Sequence, residues 1–328
     1  MITGREEIIQ LPSKMIGLYV NIMNDYTFTQ WLFFFYIYSF VGWIWESSYC
    51  SIKGRHPVNR GFLKGPMIPI YGSGACVMLM AAAPFRDNLI LTFVSGSIIA
   101  SILEYATGAA MEAIFKVRYW DYSKQPLNLN GHICLGASLG WGFATILITR
   151  VIHGPVDSLM RAIPYTVLNA LTFVTTIFFV SDFSISFKDA IDLRNLLVRL
   201  DNLKAEADRI HKRMDVILAV VDDERQQSVA RIQDRIEYTI ERIEDKILLS
   251  RAKVELSEEQ RDEIDRIRLR IGVMKDRIHQ LALRRDIVRT ITLKGNPNLS
   301  SVKYKESLEE LKNFILTKRH QDDAEKQN

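Results

Sequence analysis

The sequence predicts an all-α protein, a polytopic membrane helix bundle of about five transmembrane helices with a C-terminal cytoplasmic coiled-coil or helical-hairpin domain. Three observations carry that expectation. Five stretches approach the roughly 20 apolar residues needed to cross a bilayer's hydrocarbon core. Charge is sharply partitioned: residues 1–181 hold 12 Lys/Arg and 9 Asp/Glu together with all five Trp, whereas residues 182–328 hold 30 and 29. In the second part, apolar residues recur with an alternating spacing of three and four, the seam of a coiled coil.

The domains follow in order. Residues 1–26 are expected to form an interfacial amphipathic segment, because Met15, Ile16, Leu18, Tyr19, Ile22 and Met23 share one helical face after Pro12. No cleavable signal peptide is expected: the first long apolar run starts near residue 27 without a basic segment before it. The transmembrane domain, 27–181, is expected to contain spans near 28–49, 67–83, 88–114, 132–152 and 161–181. The second is short and Gly-rich (PIYGSGACVMLM), which leaves a tilted, broken or re-entrant course open.

Short-loop positive charge sets the orientation. The first loop carries Lys53, Arg55, Arg60 and Lys64, and the third carries Lys116, Arg118 and Lys124 against Asp121. In the second loop Arg86 is balanced by Asp87, and the N-terminal segment is net negative. These point to a multi-pass protein of the cell membrane with its N-terminus outside and its tail in the cytoplasm.

In the tail, 182–328, the seam runs Leu193, Leu196, Leu200, Leu203, Ala207, Ile210, Met214, Ile217 and Val221. It breaks at 222–225 and resumes through Val229 to Ile247. A second helix is expected from Ser257, with Gln260 completing a capping box, and Gly295-Asn296-Pro297 ends it. A short amphipathic helix follows around Leu308, Leu311 and Ile315. The same seam serves an intrachain hairpin or a homo-oligomer through 193–294, so both stay open.

With that topology the unusual polar residues gather toward the cytoplasmic side. Glu46, Glu104 and Glu112 are carboxylates in spans, and an intramembrane carboxylate costs on the order of 2.5 to 3.5 kcal/mol, so each needs a partner or a function. Glu46 and Glu112 lie close enough to the interface to pair with Arg60, Lys116 or Arg118; Glu104 is deeper. Ser97, Ser101, Glu104, Gly108 and Glu112 form one small-and-polar stripe, expected to face other helices and not lipid. The candidate polar site is Glu46, Asn59, Arg60, Tyr71, Glu104, Glu112, Asp121, Tyr122, Asn128, His132, Ser138 and Trp141.

At these residues the sequence resembles the bacterial membrane-protein family described as putative ABC transporter type IV, or CmpB-like. The matching elements are YSFVGWIWE (38–46), NRGFLKGPMIPIYGSG (59–74), LEYATGAAME (103–112), WDYS (120–123) and NLNGHICLGASLGWG (128–142), covering about residues 31–180. His132 departs from the pattern, where Arg is expected, making a basic charge there pH-dependent. The resemblance implies a permease, and the tail lies outside it.

Several function classes are excluded or weakened. The surplus of positive charge is three before residue 182 and one after it, so the pI near 8.8 is no argument for nucleic acid. Cys50, Cys76 and Cys134 suggest neither a disulfide framework nor a zinc site. No phosphate loop is present: Gly131 to Gly136 has the spacing but is followed by Ala137, so transport driven by ATP requires a separate ATPase subunit. No catalytic motif, metal site or cofactor is read in the chain. Three readings remain: a permease or transport-associated component, a scaffold acting through its coiled coil, and a membrane-embedded lipid-headgroup binder or enzyme.

Overall fold

A computed structural model describes residues 25–218 and, beyond them, 262, 265–267, 269–270, 272–273, 295–296, 298–309 and 311–312. The expected interfacial helix of residues 1–26 and the seam over 219–261 and 274–294 lie essentially outside the described residues. Among the described residues there is no β-strand.

Helix α1 spans Phe28–Gly54, opened by a capping box in which Thr27 and Gln30 satisfy each other's backbone N–H, and closed by Arg55 in the left-handed region. Helix α2, Pro69–Ala82, starts with the proline that the first turn tolerates and tightens into a 3-10 turn over Ala83–Phe85. Asn88 caps α3, Leu89–Phe115, by accepting from the N–H groups of Ile90 and Leu91. Helix α4, Leu135–Leu147, passes through a π-helical turn, Ile148–Ile152, into α5, His153–Ala162. Helix α6 runs Tyr165–Leu218.

Among the described residues, three stretches are long and apolar enough to cross a membrane: Leu89–Phe115, Leu135–Ala162 and Tyr165–Ile210. Helix α1 has 27 residues, but Trp31, Tyr36, Tyr38, Trp43 and Trp45 lower its hydropathy; Pro69–Phe85 is apolar but short.

One loop differs from the sequence reading, and one helix runs past a change in composition. The expected fourth loop after residue 152 is helical, and the chain breaks only at Ile163-Pro164. Gly154-Pro155 reads as a loop, yet the π turn just before it widens the helix where the Pro155 ring would otherwise strike the carbonyl of Val151. Nor does the helix end where the composition changes near residue 181; α6 continues through it, because charged residues alter the solvent a helix prefers without breaking its backbone pattern.

The chain divides into two compact units, 1–188 with 294–299, and 189–293 with 300–328. In the first, α1, α2, α3 and α4 pack each on the next in chain order. Two glycines permit the approach: a Cβ on Gly72 would strike Ser39 and the carbonyl of Phe35, and one on Gly142 would strike Ser97 and Phe93. Phe34, Tyr38, Ala75, Leu79, Met160 and Leu168 form the core near the start of α1, and the Tyr36 hydroxyl donates to Thr176 Oγ1 at 2.9 Å to tie α1 to α6. In the second unit, Ala190, Leu193, Leu196, Leu197, Leu200, Leu203, Ala207 and Ile210 are buried, as are Ile267, Leu308 and Leu311.

Candidate functional site

A cavity of about 570 Å³ lies in the first unit, bounded by α3, the start of α2, the base of α6 and the loops after α1 and α3. That size suits a small-molecule ligand. Its polar wall comes from seven separate places in the sequence, brought together by specific contacts.

Helix α3 supplies Glu104, which is 5% exposed. Its Oε1 accepts from the Tyr122 hydroxyl at 3.1 Å and its Oε2 from the Trp141 indole N–H at 2.9 Å. Both donors are neutral. Among the described residues no cationic side chain lies within ion-pairing distance of this carboxylate. Burial and the adjacent Glu104 push the Tyr122 hydroxyl above the usual phenol range, so it stays a donor at neutral pH. The Tyr71 and Trp141 rings meet at 5.8 Å on the same wall.

Glu46, also on the wall, is differently placed. Arg60 Nε donates to its Oε1 at 3.0 Å, Arg60 Nη1 donates to Asn296 Oδ1 at 2.8 Å, and Nη2 donates to the Tyr119 carbonyl at 3.1 Å. The Arg60 backbone N–H is taken by Ser47 Oγ at 3.1 Å. All three guanidinium nitrogens are therefore engaged, and the charge is neutralised in place.

Of the twelve residues read from the sequence, Glu46, Arg60, Tyr71, Glu104, Tyr122 and Trp141 line this cavity. The other six do not. Glu112 accepts from Arg118 Nε at 2.8 Å and lies 3.3 Å from His132 Nε2. Asp121 accepts from the Ser123 hydroxyl at 2.5 Å and from its backbone N–H at 2.9 Å, and lies 3.4 Å from Arg118. Asn128 donates to the carbonyls of Ser123 and Gln125 and accepts from the Gly131 N–H, closing the loop. Gly131 has φ +76°, and a Cβ there would meet Ser123, Arg118 and Asp121, so only glycine fits this turn. Asn59 accepts from the Trp43 indole at 2.6 Å and donates to the Lys64 carbonyl, fixing the first loop. Ser138 accepts from Ser101 at 2.7 Å, so the polar stripe of α3 does face a neighbouring helix.

Three contributors escaped the sequence reading. Asn296 lines the cavity, bonds Arg60 and donates to the Gly61 carbonyl at 2.8 Å, although it lies 235 residues from Gly61. Asp182 accepts from the backbone N–H groups of Lys64 and Gly65 at 3.1 and 2.8 Å. His153 accepts or donates on both ring nitrogens, to Tyr38 at 2.9 Å and Tyr26 at 3.4 Å. The last lay in a predicted loop; for Asn296 the Gly-Asn-Pro run signalled only a helix end.

Residues 33–187 match the model of the family described as "Putative ABC-transporter type IV". The resemblance read over about 31–180 is thus shown for that segment, and residues outside it are not covered. No curated protein and no solved structure matches the chain. Over that segment the chain is similar to a family described as transport-associated, and the segment contains apolar helices long enough to cross a membrane.

Proposed function

We propose that the protein is a permease-like membrane component whose ligand occupies the cavity beside Glu104. The observation carrying this is a buried carboxylate held by two neutral donors at the wall of a ligand-sized cavity. A charge in that position, costly to insert and not neutralised by the protein, is the pattern of a pathway residue. Its neighbours Tyr122 and Trp141 fix the carboxylate's orientation, and Tyr71 forms the facing aromatic surface. The chain carries no phosphate loop, so energy would come from a separate ATPase subunit or from protons.

In this reading α1 and Pro69–Phe85 join the three long apolar helices as five membrane-crossing segments, with the N-terminus outside and the tail inside. At about 1.5 Å per residue, the 27 residues of α1 cover roughly 40 Å, enough to cross. The tail seam is supported as an intrachain packing surface, because its residues from Leu193 to Ile210 are already buried.

A second reading draws on Asn296. Asn296 lines the cavity and bonds Arg60, so displacing it would remove a partner of Arg60 and open the wall at that point. A tail that recruits cytoplasmic partners would thereby also gate the cavity.

The test of the permease reading is solute flux in proteoliposomes containing the full chain with its co-purifying partners. Flux that is present in wild type and lost in Glu104→Gln supports it. No flux of any solute, with the cellular phenotype intact in Glu104→Gln, overturns it.

A further inference from the structure

We infer that the cavity selects a lipophilic organic cation, an ammonium or phosphonium centre carrying an apolar body, which reaches it sideways from the bilayer. The inference rests on the permease reading for the location of the site, and it adds the ligand's charge, shape and route.

Charge comes first. The lining holds two carboxylates and one guanidinium. Arg60 is committed to Glu46 and its remaining nitrogens to Asn296 and Tyr119, so it offers little to an incoming anion. Glu104 has only Tyr122 and Trp141, which orient it without cancelling its charge. The uncommitted electrostatic character of the cavity is therefore that of one carboxyl group without a counter-charge; a bound cation would stabilise its ionised form, whereas a phosphate or carboxylate ligand would gain nothing from it.

Shape and surface come next. Tyr122 and Trp141 touch Glu104, Tyr71 packs on Trp141, and Trp120 lines the same cavity. Ring faces near a carboxylate are the surroundings in which a poorly hydrated organic cation is stabilised, by cation–π attraction together with the opposite charge. A small metal cation would want several oxygen ligands, and among the described residues no group of three or more His, Cys, Asp or Glu is assembled to hold one. Away from Glu104 the lining turns apolar, with Phe62, Phe115, Phe183 and Phe187 closing one end; Phe62 meets Phe115 at 5.6 Å and Phe183 at 5.7 Å, and Phe115 meets Phe187 at 5.1 Å. A ligand filling this space must be charged at one end and greasy over the rest.

The route follows from α3. Ala106, Ala110 and Ile114, spaced by four, line the cavity and are also exposed. Ile102 continues the same stripe outward and is 58% exposed. On a helix that crosses a bilayer this apolar stripe faces acyl chains, and the two alanines leave the gap through which the cavity opens. An amphipathic cation concentrates in the bilayer interface, so a lateral opening places the site next to its supply.

The experiment uses two ions of matched size and opposite charge, tetraphenylphosphonium and tetraphenylborate, in equilibrium dialysis against the full chain in nanodiscs, with empty nanodiscs subtracted. Saturable binding of the phosphonium alone is expected, weakened roughly tenfold or more by Glu104→Gln, the loss of one close charge interaction. Because Glu104→Gln changes a buried group, Ala110→Leu provides a second arm at an exposed position: its larger side chain fills the gap and should weaken phosphonium binding at equilibrium while leaving tetraphenylborate behaviour unchanged. Equal saturable binding of the borate, or wild-type phosphonium binding in both variants, overturns the inference. Saturable, Glu104-dependent phosphonium binding without any flux in proteoliposomes upholds the ligand class and overturns the permease reading. Flux of an anionic or neutral solute without phosphonium binding does the reverse.

Discussion

The loop-facing ends of α1 and α3 and the deeper part of α3 treat the same chemical group in opposite ways. At the helix ends, Glu46 meets Arg60 at 3.0 Å and Glu112 meets Arg118 at 2.8 Å, so each carboxylate is neutralised by a guanidinium from a neighbouring loop. Deeper on α3, Glu104 is held by an indole and a phenol. The first arrangement fastens loops to helices. The second gives the carboxylate hydrogen bonds but no counter-charge, which is the feature the proposed ligand site rests on.

The largest expected effect comes from breaking the ion pair at the end of α1. Arg60→Ala removes the partner of Glu46 and the donor to Asn296 and Tyr119, and the partly exposed Glu46 moderates the loss to about 3 kcal/mol of stability. Thermal unfolding in detergent measures this, and a shift within error would show the pair to be dispensable. Arg118→Ala should cost less, about 1 to 2 kcal/mol, because His132 remains beside Glu112. The same melt reports it, and a loss exceeding that of Arg60→Ala would invert the ranking. Trp141→Phe keeps the ring but deletes one donor to Glu104; ligand affinity should fall by roughly tenfold, as a hydrogen bond to a charged group is worth about 1.5 kcal/mol. Gly140→Ala gives the smallest change. Nothing lies near a Cβ at Gly140, so the substitution should leave binding untouched and raise stability by at most about 1 kcal/mol; a clear loss would reveal a contact there.

How much of this was legible in the sequence depended on the range over which each feature acts. The apolar helices and the polar stripe on α3 were readable because periodicity is local: Ser101 does meet Ser138, and Glu104 is buried. The pairings of Glu46 and Glu112 were anticipated from basic residues in adjacent loops. Composition was a poorer guide to helix ends. The loop expected between residues 152 and 161 is helical instead, because a π turn admits Pro155 without breaking the helix.

The candidate site was half legible. Polar residue type and depth alone could not separate Glu104 and Tyr122, which line the cavity, from Asp121 and Asn128, which fold the loop beside it. That distinction requires the donors' positions. Asn296 was beyond reach, because no local pattern indicates that a residue so distant in sequence returns to bond Arg60.

The most direct measurement of the central claim is a paired one on Glu104→Gln: thermal unfolding and proteoliposome flux from the same preparation. The amide is nearly isosteric and retains an oxygen acceptor for one of the two donors, so the account predicts a melting temperature close to wild type with flux abolished. A lowered melting temperature with flux preserved would make Glu104 a structural group and contradict the account.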